Sequence, residues 1–310
     1  MATGIVYRST GSWYNVRDEQ GRFWNARMKG IFKLDGLTST NPIAVGDIVD
    51  IETENEGESS GMITKIHDRK NYINRQSPRM KHHRHIVASN IDQSLLIATI
   101  KDPRTSQGFI DRFLVACEMY HVPAIVVFNK FDVYKEKDLE RFETLKEMYE
   151  AIGYKVIPIS VKNRTGMEEL EELLKNKISL ISGHSGVGKS SFINAVIPDS
   201  KIKTKDVSNW SGKGMHTTTF AEMYDLPFRG RIIDTPGMRE FGLVDIEKPE
   251  LSGYFPEMKQ RLNDCQFNNC LHTNEPGCAI KQAVIDGEIT EDRYVSYYNI
   301  LESIGEQNRK

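Results

Sequence analysis

No run of apolar residues in this 310-residue chain approaches the roughly 20 that a membrane span requires, and the start, MATGIVYRST, lacks the apolar core of a signal peptide. A cytoplasmic protein with no membrane partner is the expectation. Cysteine is scarce: four residues are too few for a disulfide scaffold. Charge of one sign is not in excess either. The 41 Lys+Arg face 43 Asp+Glu for a net charge of −2, which excludes bulk-charge adhesion to nucleic acid and leaves any such binding to local patches. With 39% hydrophobic residues the chain is neither disordered nor collagen-like, and its length suits two or three cores rather than one.

What is present changes character along the chain. Short strand patterns at 4–8, 13–17, 22–28, 47–52 and 61–67, separated by Gly, Asn-Pro and acidic turn signals, predict a small five-stranded barrel of the OB or SH3 kind, with OB the more natural. The stretch NYINRQSPRMKHHRH at 71–85 has no acidic residue and reads as a basic linker. From Gln93 onward, apolar runs of four to six residues alternate with amphipathic helices, the pattern of βαβ units in a mostly parallel sheet. After Pro249 the composition turns to Cys, His, Asn and polar helix, a third unit.

The central unit carries four motifs. Gly183-His184-Ser185-Gly186-Val187-Gly188-Lys189-Ser190, continued by Ser191, fits GxxxxGK[ST] between an apolar strand and a helix. In such a loop backbone N–H groups wrap phosphates, Lys189 reaches the β and γ oxygens, and Ser190 ligates Mg²⁺. Asp234-Thr-Pro-Gly237 follows the strand RIID, where Asp234 can hold Mg²⁺ through water and the Gly237 N–H can meet a γ-phosphate. Asn129-Lys130-Phe131-Asp132 follows AIVVF, and a carboxylate there can accept the N1 and N2 hydrogens of guanine. Ser160-Val161-Lys162 follows VIPI and can offer a backbone N–H to guanine O6. Each motif sits at the carboxyl end of a strand, the edge where open α/β sheets bind ligands. Their order, base motifs before phosphate loop, is that of a circularly permuted guanine-nucleotide domain.

With that order, the chain resembles the circularly permuted GTPases of the ribosome small-subunit-dependent GTPase A (RsgA) family. The resemblance runs through the barrel, DRFLVA, NKFD, SVK, GHSGVGKS, GMHTTT at 214–219, DTPGMREFGL at 234–243 and the Cys/His cluster. It implies an OB-fold at 1–72, a basic linker at 73–85, a permuted α/β P-loop GTPase domain at 86–246 and a mostly helical zinc-binding domain at 247–310. It further implies that the protein binds the small (30S) ribosomal subunit and its 16S rRNA late in maturation, and that the subunit stimulates hydrolysis of GTP to GDP and phosphate. A monomer is expected.

Thr217, Thr218 and Thr219 follow a polar, Gly-containing stretch suited to a switch loop, and one of them, with Thr218 and Thr219 preferred, is expected to ligate Mg²⁺. In Ras-like enzymes a Gln just after DxxG orients the attacking water, but here the residue is Met238. That leaves the water-positioning residue unassigned, with His216 and Asp245 as candidates beside Lys189, and predicts slow hydrolysis without a partner. The P-loop also lacks the Asn of potassium-activated GTPases, since Gly186 stands there. A nucleotide-controlled binding module, with hydrolysis incidental, is the competing class. An ATPase is disfavoured by NKFD.

Cys265-x4-Cys270-x-His272-x5-Cys278 offers three thiolates and an imidazole, a closed set for one tetrahedral structural Zn²⁺. The zinc is expected to substitute for a core in a small tail. On the barrel, Trp13, Tyr14, Phe23 and Trp24 could stack RNA bases, with Arg8, Arg17, Arg22 and Arg27 nearby for phosphates; alternation requires that half of these aromatics face the core. Arg75, Arg79, Lys81 and Arg84 in the linker are a further electrostatic footprint.

Overall fold

A computed structural model describes residues 2–28, 42–53, 59–76, 84–197, 221–235, 243 and 246–307. The N-terminal strands β1 (Ala2–Ser9), β2 (Tyr14–Asp18), β3 (Phe23–Met28), β4 (Ile48–Thr53) and β5 (Ser60–Ile66) form a closed barrel in the order β1-β2-β3-β5-β4, with β4 returning to β1. Every pairing is antiparallel except β3 with β5, the Greek-key arrangement of an OB-fold. Alternate residues point inward, so Val6, Val16, Trp24, Ala26, Val49, Ile51 and Ile63 fill a core of the barrel's own. Register shifts at Val6/Arg8 and Asp50/Ile51 bend the strands toward closure. The same alternation sorts the aromatics: Tyr14 and Trp24 are core, whereas Trp13 and Phe23 are 44% and 46% exposed.

The segment expected as a linker begins and ends in paired strand. β6 (Tyr72–Gln76) and β7 (Arg84–Ser89) form an antiparallel two-stranded sheet, with Ile73, Ile86 and Ala88 buried. Basic composition concealed this, because the apolar alternation is confined to the outer halves of the two strands. Asp47 secures the junction: fully buried, it accepts both Nε and Nη2 of Arg69 at 2.6 Å and the Ser89 hydroxyl at 2.6 Å.

Next come β8 (Gln93–Ala98), α1 (Gln107–Met119), β9 (Ala124–Phe128), α2 (Glu136–Ala151), β10 (Lys155–Pro158), α3 (Met167–Leu174), β11 (Ile178–Ser182), α4 (Lys189–Val196), β12 (Glu222–Asp225) and β13 (Arg231–Asp234). They build a sheet in the order β10-β9-β8-β11-β13-β12, parallel except for β12. Strand residues divide between its two faces. Leu95, Ile97, Val127, Ile181 and Ile232 pack with α3 and α4, while Leu96, Ala98, Val126, Phe128 and Ile233 pack toward α1 and α2. The α1 and α2 side also receives the C-terminal region, made of α5 (Pro256–Lys259), α6 (Ala279–Ile285), α7 (Glu291–Gln307) and two short 3-10 segments. At the other edge β12 meets β1 through the pair Arg8↔Glu222, so one hydrogen-bonded sheet runs from the central domain into the barrel. Among the described residues, no helix is long and apolar enough to cross a membrane.

Candidate functional site

The carboxyl ends of β8, β9, β10, β11 and β13 converge on one edge of the sheet. Between β11 and α4 the chain turns through 183–188 with Gly183 and Gly188 at φ 143° and 100°, in the left-handed region that side chains avoid. Space gives a second reason for glycine at both positions. A Cβ on Gly183 would stand 2.2 Å from the Ile97 carbonyl oxygen, and one on Gly188 would stand 2.3 Å from Asn129 Nδ2. The loop is thereby pressed against the ends of β8 and β9.

Asn129 exploits that closeness. Its Nδ2 donates to the Val187 carbonyl at 2.9 Å, and its Oδ1 accepts the Val161 N–H at 3.3 Å, so one buried amide joins three of the four motifs. Asp132 Oδ1 accepts the Ser160 hydroxyl at 2.6 Å, and Ser160 Oγ in turn accepts the Asn163 N–H at 3.1 Å. Lys130, at φ 65°, donates its ammonium to the Asp102 carbonyl. Lys162, Ser185, Gly186 and Ser191 are exposed, and Ser190 is half-buried at the start of α4.

Lys189 donates to the carbonyls of Gly183 and, at 2.8 Å, His184, which holds its ammonium inside the loop. Burial pushes its pKa down, against the attraction of Asp234. Burial likewise pushes the Asp234 carboxyl up, against the attraction of Lys189. Asp234 is paired in register with Ile181 on β11, which places the carboxylate beside the phosphate loop. Two partly desolvated groups of opposite sign at this edge favour ligands carrying counter-charge: phosphate for the lysine, a divalent cation for the aspartate. The His184 ring lies tilted against Phe109 of α1 at 3.7 Å between centroids, beside a cavity of ≈ 310 Å³ shared with Arg112 and with Ser296 and Ile300 of α7. Gly237, Thr217, Thr218, Thr219, His216, Met238 and Asp245 lie outside the described residues, as do Arg79 and Lys81.

The second cluster is in the C-terminal region. Cys265, Cys270, His272 and Cys278 bring one donor atom each to within 4.8 Å of one another. His272 directs Nδ1 inward, 3.6 Å from Cys265 Sγ and 3.4 Å from Cys278 Sγ. Cys278 also caps α6, its sulfur accepting the Lys281 N–H at 3.5 Å. Burial pushes the Cys270 thiol up to about 12, with the neighbouring thiols adding to it. Such a packed set of soft donors is stable as thiolate only around a cation, and four N/S donors at this spacing could hold a metal ion tetrahedrally.

Two residues in these surroundings carry no motif. Tyr134 donates its hydroxyl to the Asn129 carbonyl at 2.7 Å and accepts the Ile100 N–H at 2.9 Å. Arg293 of α7, 1% exposed, donates Nη1 to Asp111 at 2.6 Å and Nε to Glu257 at 2.7 Å. A tyrosine two residues beyond NKFD, and an arginine within the polar run EDRYVSYY, give no signal of these roles in sequence.

Comparison with known proteins agrees with the geometry over the whole chain. The family described as RsgA GTPase matches residues 66–244, and the RsgA N-terminal domain family matches residues 3–63. The Flavobacterium psychrophilum protein named small ribosomal subunit biogenesis GTPase RsgA is 52% identical over 308 residues, covering 99% of this chain and 94% of its own. The crystal structure of YjeQ from Thermotoga maritima superposes with a TM-score of 0.79 at 36% identity, covering 97% of this chain and 98% of its own. That of YloQ, described as a circularly permuted GTPase, superposes with a TM-score of 0.76 at 30% identity, over 100% and 96% of the two chains. With its motif order, its joined base and phosphate loops, and this likeness from end to end, the chain belongs to the RsgA family of GTPases.

Proposed function

We propose that the protein hydrolyses GTP as a timed step in the cytoplasmic maturation of the small (30S) ribosomal subunit, that GTP favours the subunit-bound form, and that contact with the subunit and its 16S rRNA accelerates hydrolysis. The observation that carries the nucleotide half of this reading is Asn129, whose one amide ties the phosphate loop to both base motifs. Asp132 and the backbone at 160–162 read guanine, while the N–H groups of 183–191 and the Lys189 ammonium hold the phosphates and stabilise charge on the transferring phosphoryl group. Ser190 and Asp234, completed by Thr218 or Thr219, would hold Mg²⁺, which would supply charge neutralisation at the phosphates. Water attacks the γ-phosphorus in line, the bond to the β–γ bridging oxygen breaks, and GDP leaves with phosphate. Met238 cannot orient that water, so the task falls to His216, to Asp245 or to a group the subunit brings. Zn²⁺ would be held by Cys265, Cys270, His272 and Cys278 as a structural ion.

The subunit half of the reading rests on the relatives' shared name and on the barrel surface. Exposed Trp13 lies under the Arg27 guanidinium at 3.8 Å, and exposed Phe23 lies near that of Arg17 at 5.6 Å. Aromatic faces beside arginines suit single-stranded RNA. Co-sedimentation with purified subunits tests the proposal. Retention on small subunits with a non-hydrolysable GTP analogue and release with GDP is the expected result; equal retention in both states contradicts it.

A further inference from the structure

We propose that Tyr134, which belongs to none of the nucleotide motifs, is a positioning residue for guanine recognition: its hydroxyl locks the Asn129 backbone to the β8–α1 loop and thereby fixes the base-reading loop against the phosphate loop. The inference rests on the guanine-nucleotide reading of this site and deepens it.

The parallel ladder of β8 and β9 ends with Ala98 opposite Phe128, plus one further bond from the Asn129 N–H to the Ala98 carbonyl at 2.8 Å. Beyond it the two chains diverge, β8 toward α1 and β9 into the base loop, so no further backbone rung can form. The Tyr134 hydroxyl supplies the missing connection, taking the Ile100 N–H at 2.9 Å and giving its own hydrogen to the Asn129 carbonyl at 2.7 Å. The Lys130 ammonium makes a second tie to the same loop at the Asp102 carbonyl. That loop in turn reaches the phosphate loop, because a Cβ on Gly186 would stand 3.3 Å from Pro103 Cδ. With its backbone held on one side, Asn129 can direct its amide to Val187 and Val161 at once. The phenol ring is itself placed edge-on to Phe131, 5.5 Å between centroids. Burial pushes the hydroxyl's pKa up to about 12, so it remains a donor throughout neutral and mildly alkaline solution.

Tyr134→Phe removes the hydroxyl and keeps the ring. The direct test measures affinity of the full-length variant for GDP, for IDP, which lacks the guanine 2-amino group, and for ADP, alongside steady-state GTP hydrolysis and thermal melting. One uncompensated hydrogen-bond network of this kind is worth about a three- to tenfold loss. The expected result is GDP affinity lower by that factor, IDP affinity lower by less, and so a smaller GDP-over-IDP preference. KM for GTP should rise with kcat held, and the melting point should stay within about 2 °C of the parent. Unchanged GDP affinity overturns the proposal. An equal fall for GDP, IDP and ADP also overturns it, since that is the signature of general loosening rather than of base positioning. If the unsubstituted protein binds GDP no better than ADP, the failure lies in the guanine reading itself and not in Tyr134.

Discussion

The two ends of the molecule join the nucleotide-binding domain by opposite physical means. The barrel keeps a core of its own, and among the described residues Tyr7 and Val45, with half-buried Ile5 packed beside them, are what it adds to the central core. Among the described residues its sheet contact is the pair Arg8↔Glu222, and beside it Asp225, 42% exposed, gathers the Tyr7 hydroxyl at 2.7 Å, Arg17, and Arg231 at 3.4 Å. Among the described residues the C-terminal region has no separate core. Leu251, Phe255, Met258, Ile280, Tyr297 and Leu301 pack in one cluster with Phe113, Leu114 and Phe142 of α1 and α2. Arg293 binds across this interface with almost no solvent contact, its charge shared between Asp111 and Glu257 while Tyr149 donates to Asp111 at 2.8 Å.

The make-up of each interface decides where motion can be passed. The exposed Asp225 part of the barrel seam yields to solvent and salt while Asp47 keeps a buried contact with Ser89 beside it, whereas a shared core moves as one body. Tyr294 and Tyr297 donate to the carbonyls of His272 and Leu271 at 2.6 and 2.9 Å, so α7 carries the Cys/His loop with it. The same α7 packs on α1, whose Phe109 lies against His184 of the phosphate loop. A continuous packed route therefore joins phosphate loop and Cys/His cluster, whereas the described residues tie the barrel to the central domain through Tyr7, Val45 and the buried contact of Asp47 with Ser89.

The shared core should be most vulnerable at Arg293. Arg293→Ala strands two buried carboxylates and should cost about 3–5 kcal/mol in denaturant unfolding, with the central domain and C-terminal region melting together. Separate transitions would show that the shared core is not cooperative. Metal removal should act more locally. A strong chelator should release one zinc per chain by elemental analysis and raise hydrogen exchange across 265–278, yet lower global stability less than Arg293→Ala does. Loss of all protection over 247–307 would mean that the metal, not the shared core, holds this region.

Acid should distinguish the barrel. The Asp18 carboxylate accepts the Trp24 indole N–H at 2.8 Å and the Gln20 and Arg22 N–H groups, which hold its pKa below the ordinary 3.8. Because the folded value is depressed, the stabilisation is present above pH 3.8 and is lost as pH falls through the folded value. Acid titration of Trp24 fluorescence should show that loss, and Asp18→Asn should flatten it. The smallest effect is expected at the seam: Asp225→Ala should change stability by about 0–1 kcal/mol while widening the distribution of barrel orientations seen by solution scattering.

What could be read from sequence was what residue type alone dictates. Glycines at 183 and 188, a lysine and serine opening a helix, and Cys/His spacing constrain backbone or donor chemistry so tightly that few other arrangements use them. Which barrel aromatics face outward was not legible until the registers fixed Trp13 and Phe23 outside. The C-terminal region was expected to depend on its metal for want of a core; instead it borrows one, because its apolar side chains meet a sheet face and helices distant in sequence. Arg293 and Tyr134 were invisible for the same reason: a salt bridge to Asp111 and a bond to Ile100 exist only once the fold has brought those partners close.

GTP turnover by the purified protein alone, with small subunits, and with large subunits as control decides whether the subunit activates this hydrolase. Slow intrinsic turnover, strongly accelerated by small subunits and unchanged by large ones, is the predicted result. Turnover that neither subunit alters would contradict a subunit-activated hydrolase.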